Sequence, residues 1–232
     1  MKSAVVLFSG GLDSTTVMYK VKNEGWQIYA LSFDYEQNHQ HELNCAKKVC
    51  DKVGVVMHKS LSLTNFATIC TSALTKKGAI PKNREMRAIN AQIPPTYVPA
   101  RNTIFLSFAL GWAESLGLMD IFIGVNAVDY SGYPDCRPKF ITAFEKLANI
   151  ATKTGVENEE NIKIHAPLLN MTKGEIIKLG VHQGVDYSLT NSCYDPGPEG
   201  IPCTECDSCL LRKKGFSEAL MSDPLLEKHG IC

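Results

Sequence analysis

Short apolar runs alternate along the chain with longer stretches of helical periodicity. The strand-like runs lie at residues 5–8, 28–33, 55–58, 121–124 and 162–164. The helical stretches lie at residues 13–22, 40–53, 102–116 and 139–152. Thr172 and Glu175 form a capping box that opens a further predicted helix towards Gly180. Strands that alternate with helices indicate a parallel sheet covered on both faces, so we predict an α/β fold with a single doubly wound parallel sheet.

Residues 75–99 interrupt this alternation. Prolines and basic residues are prominent in the segment, at Pro81, Lys82, Arg84, Arg87, Pro94, Pro95 and Pro99. We predict a long loop here, because proline lacks the backbone donor that helices and central strands require. The sequence leaves two interpretations open, a mobile lid over a site and a solvated surface loop.

Four segments follow predicted strands and carry polar residues. They lie at residues 9–14, 34–41, 126–137 and 167–173. Ligands of doubly wound sheets bind in the crevice outside the carboxyl ends of the strands. We therefore expect these four segments to converge on one site.

The segment at residues 9–14 reads Ser-Gly-Gly-Leu-Asp-Ser and connects the first predicted strand to the first predicted helix. Gly10 and Gly11 let backbone N–H groups approach an anion, and the helix N-terminus adds its dipole. Ser9 and Ser14 supply hydroxyl donors. The spacing differs from that of a Walker loop and of a dinucleotide fingerprint. We predict a phosphate site, and a strand-to-helix turn capped by a serine or by Asp13 is the alternative.

Composition and charge restrict the classes to which this protein can belong. The 232 residues, 44% of them hydrophobic, suffice for one core, so we expect one domain over residues 1–232. The 24 basic and 24 acidic residues balance, which argues against a surface that binds nucleic acid through many phosphate contacts. No apolar stretch reaches membrane-spanning length, and the chain begins with a strand in place of a signal peptide. We expect a cytoplasmic protein with small-molecule partners.

Four of the nine cysteines crowd the C-terminal region, at Cys193, Cys203, Cys206 and Cys209. The x2 spacing of the last three suits tetrahedral Zn²⁺, and Cys193 closes the site. The intervening residues 196–202 are rich in proline and glycine and have little capacity to pack a core, so a metal would supply their order. We predict a structural zinc-binding segment at residues 193–209. A redox pair and an iron–sulfur cluster are the alternatives.

Residues 129–137 combine two carboxylates, two aromatic rings and an arginine after the fourth predicted strand. The candidates for substrate contacts are Asp129, Tyr130, Tyr133, Asp135 and Arg137, with Arg101 as a second anion contact. A carboxylate accepts paired N–H donors from a guanine-like edge, a tyrosine stacks on a flat base, and an arginine binds a carboxylate or phosphate bidentately. A polar turn is the alternative interpretation of this segment.

The hexapeptide at residues 9–14 resembles the pyrophosphate loop of the N-type ATP pyrophosphatases, which split ATP into AMP and pyrophosphate. The chain as a whole is similar to the 7-cyano-7-deazaguanine synthases, the nitrile-forming family of queuosine precursor synthesis. The matching pieces are residues 8–14, 33–35, 98–102, 131–137 and the four cysteines with Arg212. Glu36 and Asn38 depart from the usual glycine and arginine of the family, and Ala100 departs from the usual glycine.

The resemblance implies an adenine nucleotide alpha hydrolase-like fold and an ATP-dependent ligase that forms a carbon–nitrogen bond. Its substrates would be 7-carboxy-7-deazaguanine, ammonia and ATP, with Mg²⁺ and structural Zn²⁺ as cofactors and a homodimer as the assembly. The implied catalytic residues are Ser9, Asp13 and Lys173. The implied ATP-binding residues are Phe8, Ser9, Gly10, Gly11, Leu12, Asp13, Ser14 and Phe33.

Three other functions stay open at this point. A tRNA-modifying sulfur transferase would share the ATP loop but would need a basic surface and a reactive cysteine pair. A nucleotide-binding regulator would bind ATP without releasing pyrophosphate. An interaction module stabilised by zinc would not bind nucleotide at all. Product analysis and nucleotide titration distinguish these functions from the ligase.

Overall fold

The computed structural model describes residues 1–35, 41–75, 80–86, 89, 93–128, 132–157 and 161–231, with the backbone alone at positions 41 and 42. Within these residues, five strands form one sheet in the order β3-β2-β1-β4-β5. The strands are β1 (Ser3–Leu7), β2 (Gln27–Asp34), β3 (Met57–Ser62), β4 (Asp120–Phe122) and β5 (Lys163–His165). All neighbouring pairs are parallel, which confirms the predicted parallel sheet.

The strand order reverses at the centre of the sheet. From β1 the chain extends the sheet to one side through β2 and β3, and then returns to the other side of β1 for β4 and β5. In open α/β sheets, such a reversal opens a crevice at the carboxyl ends of the two central strands. The carboxyl ends of β1 and β4 are therefore where a ligand is expected.

Helices cover both faces of the sheet. They are α1 (Leu12–Asn23), α2 (His41–Val53), α3 (Phe66–Ile69), α4 (Arg101–Leu116), α5 (Pro138–Ala151), α6 (Lys153–Glu157), α7 (Lys173–His182), α8 (Asp207–Ala219) and α9 (Pro224–Lys228). Val5 and Leu7 of β1 belong to the core shared with α4 and α5, whereas Ala4 and Val6 belong to the core shared with α1, α2 and α7. This alternation follows from the two-residue period of a strand, and it confirms the doubly wound α/β prediction.

The third predicted strand and the predicted loop at residues 75–99 differ from the structure. β3 spans Met57–Ser62 in place of the predicted residues 55–58. It lies at the edge of the sheet and exposes polar side chains, so its apolar content did not mark its bounds. The prediction of residues 75–99 as loop throughout is also wrong, because Ile89 donates a helical hydrogen bond to Glu85 O at 3.1 Å.

A solvated surface loop does not describe this segment either, because Thr96 and Val98 are buried at 1% and 2% exposure. Positions 76–79, 87–88 and 90–92 lie outside the described residues, and Arg87 with them. In the described part of the chain, no helix combines the length and the apolar content needed to cross a bilayer.

Candidate functional site

The Ser-Gly-Gly turn lies at the carboxyl end of the central strand β1. Gly10 has a φ of 88°, a conformation that glycine adopts without steric cost. The hydroxyls of Ser9 and Ser14 lie 3.1 Å apart, and the Gly11 N–H donates to Ser9 Oγ at 3.3 Å. Gly11 is the N-cap of α1 and forms no side-chain cap bond. The turn therefore presents two hydroxyls beside the positive end of a helix, which suits a phosphate group.

The carboxyl end of β4 lies against this turn. A Cβ atom placed on Gly124 would lie 3.0 Å from both the N and the Cα of Ser14, so a side chain at this position would displace one of the two segments. Glycine at position 124 thus permits the close contact between the end of β4 and the start of α1. The contact brings Asn126, two residues further on, into the same cavity as the turn.

Lys173 and Asp13 form an ion pair at the edge of the turn. The Lys173 ammonium donates to both carboxylate oxygens of Asp13, at 2.6 and 2.7 Å. Lys173 is the first residue of α7, which the predicted capping box of Thr172 and Glu175 opens. Asp13 is the second residue of α1. Two helix N-termini therefore bring a buried cation and a partly exposed carboxylate to one point.

The stem of Lys173 lies in a narrow contact between α7 and α8. A Cβ atom on Gly215 would lie 2.3 Å from Cγ of Lys173 and 2.9 Å from Cδ1 of Ile177. Neither atom is at the free end of an exposed side chain, since Lys173 and Ile177 are both buried. Glycine at position 215 therefore sets how closely α8 approaches the lysine.

We expect Gly215→Ala to lower the free energy of unfolding by about 1–3 kcal/mol, because the methyl group overpacks this contact. Gly111→Ala is the matched control: it also lies in a helix, but a Cβ there meets no atom within 4 Å, so stability should rise slightly. Urea unfolding of both variants measures the difference. Equal effects at the two positions would contradict the steric explanation.

One cavity of about 230 Å³ joins most of the predicted site residues. Its wall includes Phe8, Ser9, Gly11, Leu12, Asp13, Ser14, Phe33, Tyr35, Arg101, Asn126, Tyr133 and Lys173. These residues come from all four segments that were expected to converge, so the convergence is confirmed for their described parts. Phe33 stacks on Phe105 at a centroid distance of 4.0 Å, which gives the cavity a flat aromatic side.

The predicted substrate segment divides into residues inside and outside the cavity. Tyr133 lines the cavity, and its hydroxyl lies 2.9 Å from Thr96 Oγ1. Burial raises the pKa of Tyr133, so this phenol remains protonated. Asp135 and Arg137 are described but are not among the residues that line the cavity, and Arg137 is exposed. Asp129 and Tyr130 lie outside the described residues.

Asp135 fixes the start of α4. It is buried, and its Oδ2 accepts the backbone N–H of Asn102 at 2.9 Å, while its carbonyl accepts from the Asn102 side chain at 3.0 Å. Ala100 precedes α4 with a φ of 54°, a left-handed conformation that costs an L-residue roughly 1–2 kcal/mol. That cost is the physical reason why glycine suits this position. Asp135 thus positions the neighbouring Arg101 at the cavity wall.

Cys136 also lines the cavity and accepts from Asn102 Nδ2 at 3.3 Å. Burial raises the pKa of its thiol to about 12. The thiolate, which is the reactive form of cysteine, is therefore disfavoured here. Cys136 is part of the cavity wall.

The four C-terminal cysteines lie together as predicted. The sulfur atoms of Cys193, Cys203, Cys206 and Cys209 are all within 4.8 Å of one another. Backbone N–H groups point at three of them, with Cys203 N–H donating to Cys193 Sγ at 3.2 Å and Cys206 N–H donating to Cys203 Sγ at 3.4 Å. Contacts with Cys193 and Cys209 lower the pKa of the Cys206 thiol. Four sulfurs with N–H donors around them fit a tetrahedral metal bound by thiolates.

The described part of the proline-rich segment packs on this cysteine cluster. Lys82 forms an isolated antiparallel bridge with Cys206, and its ammonium lies 3.1 Å from a carboxylate oxygen of Asp195. Arg84 donates to the buried Asp207 at 2.7 Å. Two cations thus lie near a group of sulfurs that carries negative charge when it binds Zn²⁺.

Among the parts of the site that the sequence did not reveal is the segment at residues 191–194. The Leu12 N–H donates to Ser192 Oγ at 3.1 Å, and Tyr194 lines the cavity. The buried Arg212 also lines the cavity, and it donates to Thr190 Oγ1 at 2.8 Å and to both carboxylate oxygens of Asp223. The signal in the sequence was the run Asn-Ser-Cys-Tyr, which places polar side chains directly beside one of the four clustered cysteines.

The sheet, the turn and the cavity define a doubly wound α/β protein with a candidate phosphate site at the switch point of its sheet. A family model described as "Queuosine biosynthesis protein QueC" matches residues 3–220, and the chain belongs to this family. It is 60% identical over 223 residues to the 7-cyano-7-deazaguanine synthase of Syntrophotalea carbinolica, covering 96% of this chain and 95% of that protein. It is 58% identical over 225 residues to the same enzyme of Desulfatibacillum aliphaticivorans, covering 96% and 95%.

Among solved structures, the NMN synthetase of Francisella tularensis aligns with a TM-score of 0.49 at 12% identity. The alignment covers 95% of this chain and 88% of that chain. The family relationship thus depends on the sequence matches, and those confirm the similarity to the 7-cyano-7-deazaguanine synthases.

Proposed function

We propose that this protein converts 7-carboxy-7-deazaguanine and ammonia into 7-cyano-7-deazaguanine at the expense of ATP. The observation that carries the proposal is that the Ser-Gly-Gly turn, the Lys173–Asp13 pair and Tyr133 lie together in one cavity. The first two features suit a polyphosphate and the third suits a flat base. Family membership supports the same substrate class.

The chemistry comprises two adenylations. The carboxylate of the base acid attacks the α-phosphorus of ATP and the bond to pyrophosphate breaks, after which ammonia displaces AMP to give the amide. The amide oxygen attacks the α-phosphorus of a second ATP, pyrophosphate departs again, and loss of AMP with a proton leaves the nitrile. Negative charge develops on pyrophosphate in each adenylation. We assign its stabilisation to the loop N–H groups, to Ser9 and Ser14, and to Lys173.

Asp13 is the one carboxylate among the described residues that line the cavity, and its side chain is 27% exposed. Mg²⁺ commonly binds one or two carboxylates together with substrate phosphates, so this donor set fits Mg²⁺ that enters with ATP. The metal would neutralise phosphate charge when bound. We assign Zn²⁺ to the four cysteines, where a closed set of thiolates fits a structural role.

Base recognition is assigned to the half of the cavity that contains Tyr133 and Arg101. Arg101 lies 6.0 Å from the Tyr133 ring, close enough for a cation–π contact. Asp129 and Tyr130 stay predictions for the base edge. Asp135 is reassigned to positioning, because it is buried and engaged by Asn102, and Arg137 is reassigned to the surface.

Mass spectrometry of the products tests this function. The protein is incubated with ATP, ammonium and the base acid, and two AMP and two pyrophosphate are expected for each nitrile formed. Reactions without the base acid should give no AMP. ADP and phosphate as products, or AMP without any nitrile, would overturn the proposal.

The assembly and the location of the protein also stay predictions. We propose a homodimer in the cytoplasm that acts on small molecules and not on nucleic acid. Light scattering coupled to size exclusion would measure the mass, for which twice the chain mass of 25.5 kDa is expected. A monomer would refute this part without affecting the proposed reaction.

A further inference from the structure

Tyr194 connects the cysteine cluster to the cavity. It follows Cys193 directly, and its backbone N–H donates to Cys206 Sγ at 3.5 Å. Its side chain lines the cavity, with its hydroxyl 3.5 Å from the Tyr133 hydroxyl. The backbone of Tyr194 is therefore held by a sulfur of the cysteine cluster, while its phenol belongs to the wall of the cavity.

The residues just before Tyr194 contact the Ser-Gly-Gly turn at residues 9–14, which we call the phosphate turn from here on. The Asn191 N–H donates to Gly10 O at 3.4 Å, and Ser192 Oγ accepts from Leu12 N–H at 3.1 Å. Asn191 Oδ1 also accepts from Cys193 N–H at 3.0 Å. Residues 191–194 thus touch the phosphate turn, the cysteine cluster and the half of the cavity that Tyr133 and Tyr194 line. We call this part the tyrosine half of the cavity.

A series of hydroxyls begins behind the cavity wall at Thr96 and reaches the tyrosine half of the cavity. Thr96 Oγ1 lies 2.9 Å from the Tyr133 hydroxyl, which in turn lies 3.5 Å from the Tyr194 hydroxyl. Both phenols can donate or accept, and both offer an aromatic face. A bicyclic, guanine-like base presents N–H donors, carbonyl acceptors and a flat surface, which match these groups.

We propose that Tyr194 contacts the base acid and determines specificity for it, and that the cysteine cluster positions Tyr194 for this contact. The inference depends on the proposed function, because the base acid is the ligand. The cysteine cluster then serves the substrate site as well as the stability of its own segment.

The test uses Tyr194→Ala and Tyr194→Phe in the full-length, metal-loaded protein. Calorimetric titration measures the dissociation constant of 7-carboxy-7-deazaguanine and, separately, that of α,β-methylene-ATP. Tyr19→Ala is the matched control, since Tyr19 is also half-buried but packs in the opposite core, away from the cavity. Zinc content and the melting temperature are measured for every variant.

Tyr194→Ala should weaken binding of the base acid about tenfold or more, the scale expected for loss of an aromatic contact to a base. Tyr194→Phe should fold normally and lose less, because it keeps the ring. Binding of the ATP analogue and zinc content should stay within about twofold in Tyr194→Phe. Tyr19→Ala should leave both affinities unchanged.

The two levels of the hypothesis fail in different ways. If the unsubstituted protein does not bind the base acid, the proposed function fails and this inference fails with it. If the unsubstituted protein binds the base acid, and both Tyr194 variants bind it with the same affinity as that protein, only the role of Tyr194 is refuted. If Tyr194→Phe weakens the ATP analogue as much as the base acid, Tyr194 is a general structural residue and the inference is wrong.

Discussion

Replacing Lys173 by methionine is expected to lower kcat for AMP formation by about a hundredfold to a thousandfold, the range found when one preorganised charge donor is removed. Lys173 is buried, and its ammonium bonds to both oxygens of Asp13 beside the phosphate turn. Methionine keeps the length of the stem that packs on α8 but removes the charge. Steady-state kinetics with varied ATP measures the effect.

Lys178→Met is the matched control for this change. Lys178 lies on the same helix α7 but is exposed, so its replacement should change kcat by less than about twofold, as expected for a surface position. Melting temperatures of the two variants separate a catalytic loss from a folding loss. A Lys173→Met enzyme with nearly full kcat would show that the ion pair is structural. An equal loss of kcat in Lys178→Met would show that the effect is not specific to Lys173.

The phosphate turn could be predicted because its signal is local. A strand, two glycines with flanking hydroxyls and a helix start all lie within residues 3–14, and the backbone rules for glycine and for helix N-termini act at that range. The sheet could be predicted for the same reason, since alternating apolar periods specify the elements. Spacing along the chain also indicated the cysteine cluster.

Contacts between distant residues could not be predicted from such patterns. Asp135 has the chemistry of a base-binding carboxylate, yet it bonds to Asn102, 33 residues away, and positions a helix. Tyr194 lies in the cavity wall, and its segment contacts Gly10 and Leu12, which are far away in the sequence. Which face a polar side chain presents is decided by packing, and the sequence specifies packing only through the whole fold.

Metal removal should disorder the cysteine segment and weaken the phosphate turn with it. We expect one Zn²⁺ per chain by elemental analysis, and Cys206→Ala should lower the metal affinity more than the 10- to 100-fold typical of changes outside the ligand sphere. Because metal binding energy is folding energy here, the melting temperature should fall as well. ATP affinity should decrease, since Asn191 and Ser192 connect the segment to Gly10 and Leu12.

Hydrogen exchange gives the sharpest measure of this coupling. The amides of Tyr194, Cys203 and Cys206 donate to cluster sulfurs and should be protected in the metal-loaded protein and exchange quickly after chelation. Cys50→Ala is the control: it removes a buried thiol in the opposite core and should keep both the metal and the protection. Iron with visible absorption in place of zinc would contradict the assignment of the metal. Unchanged amide protection after chelation would show that protein packing alone orders the segment.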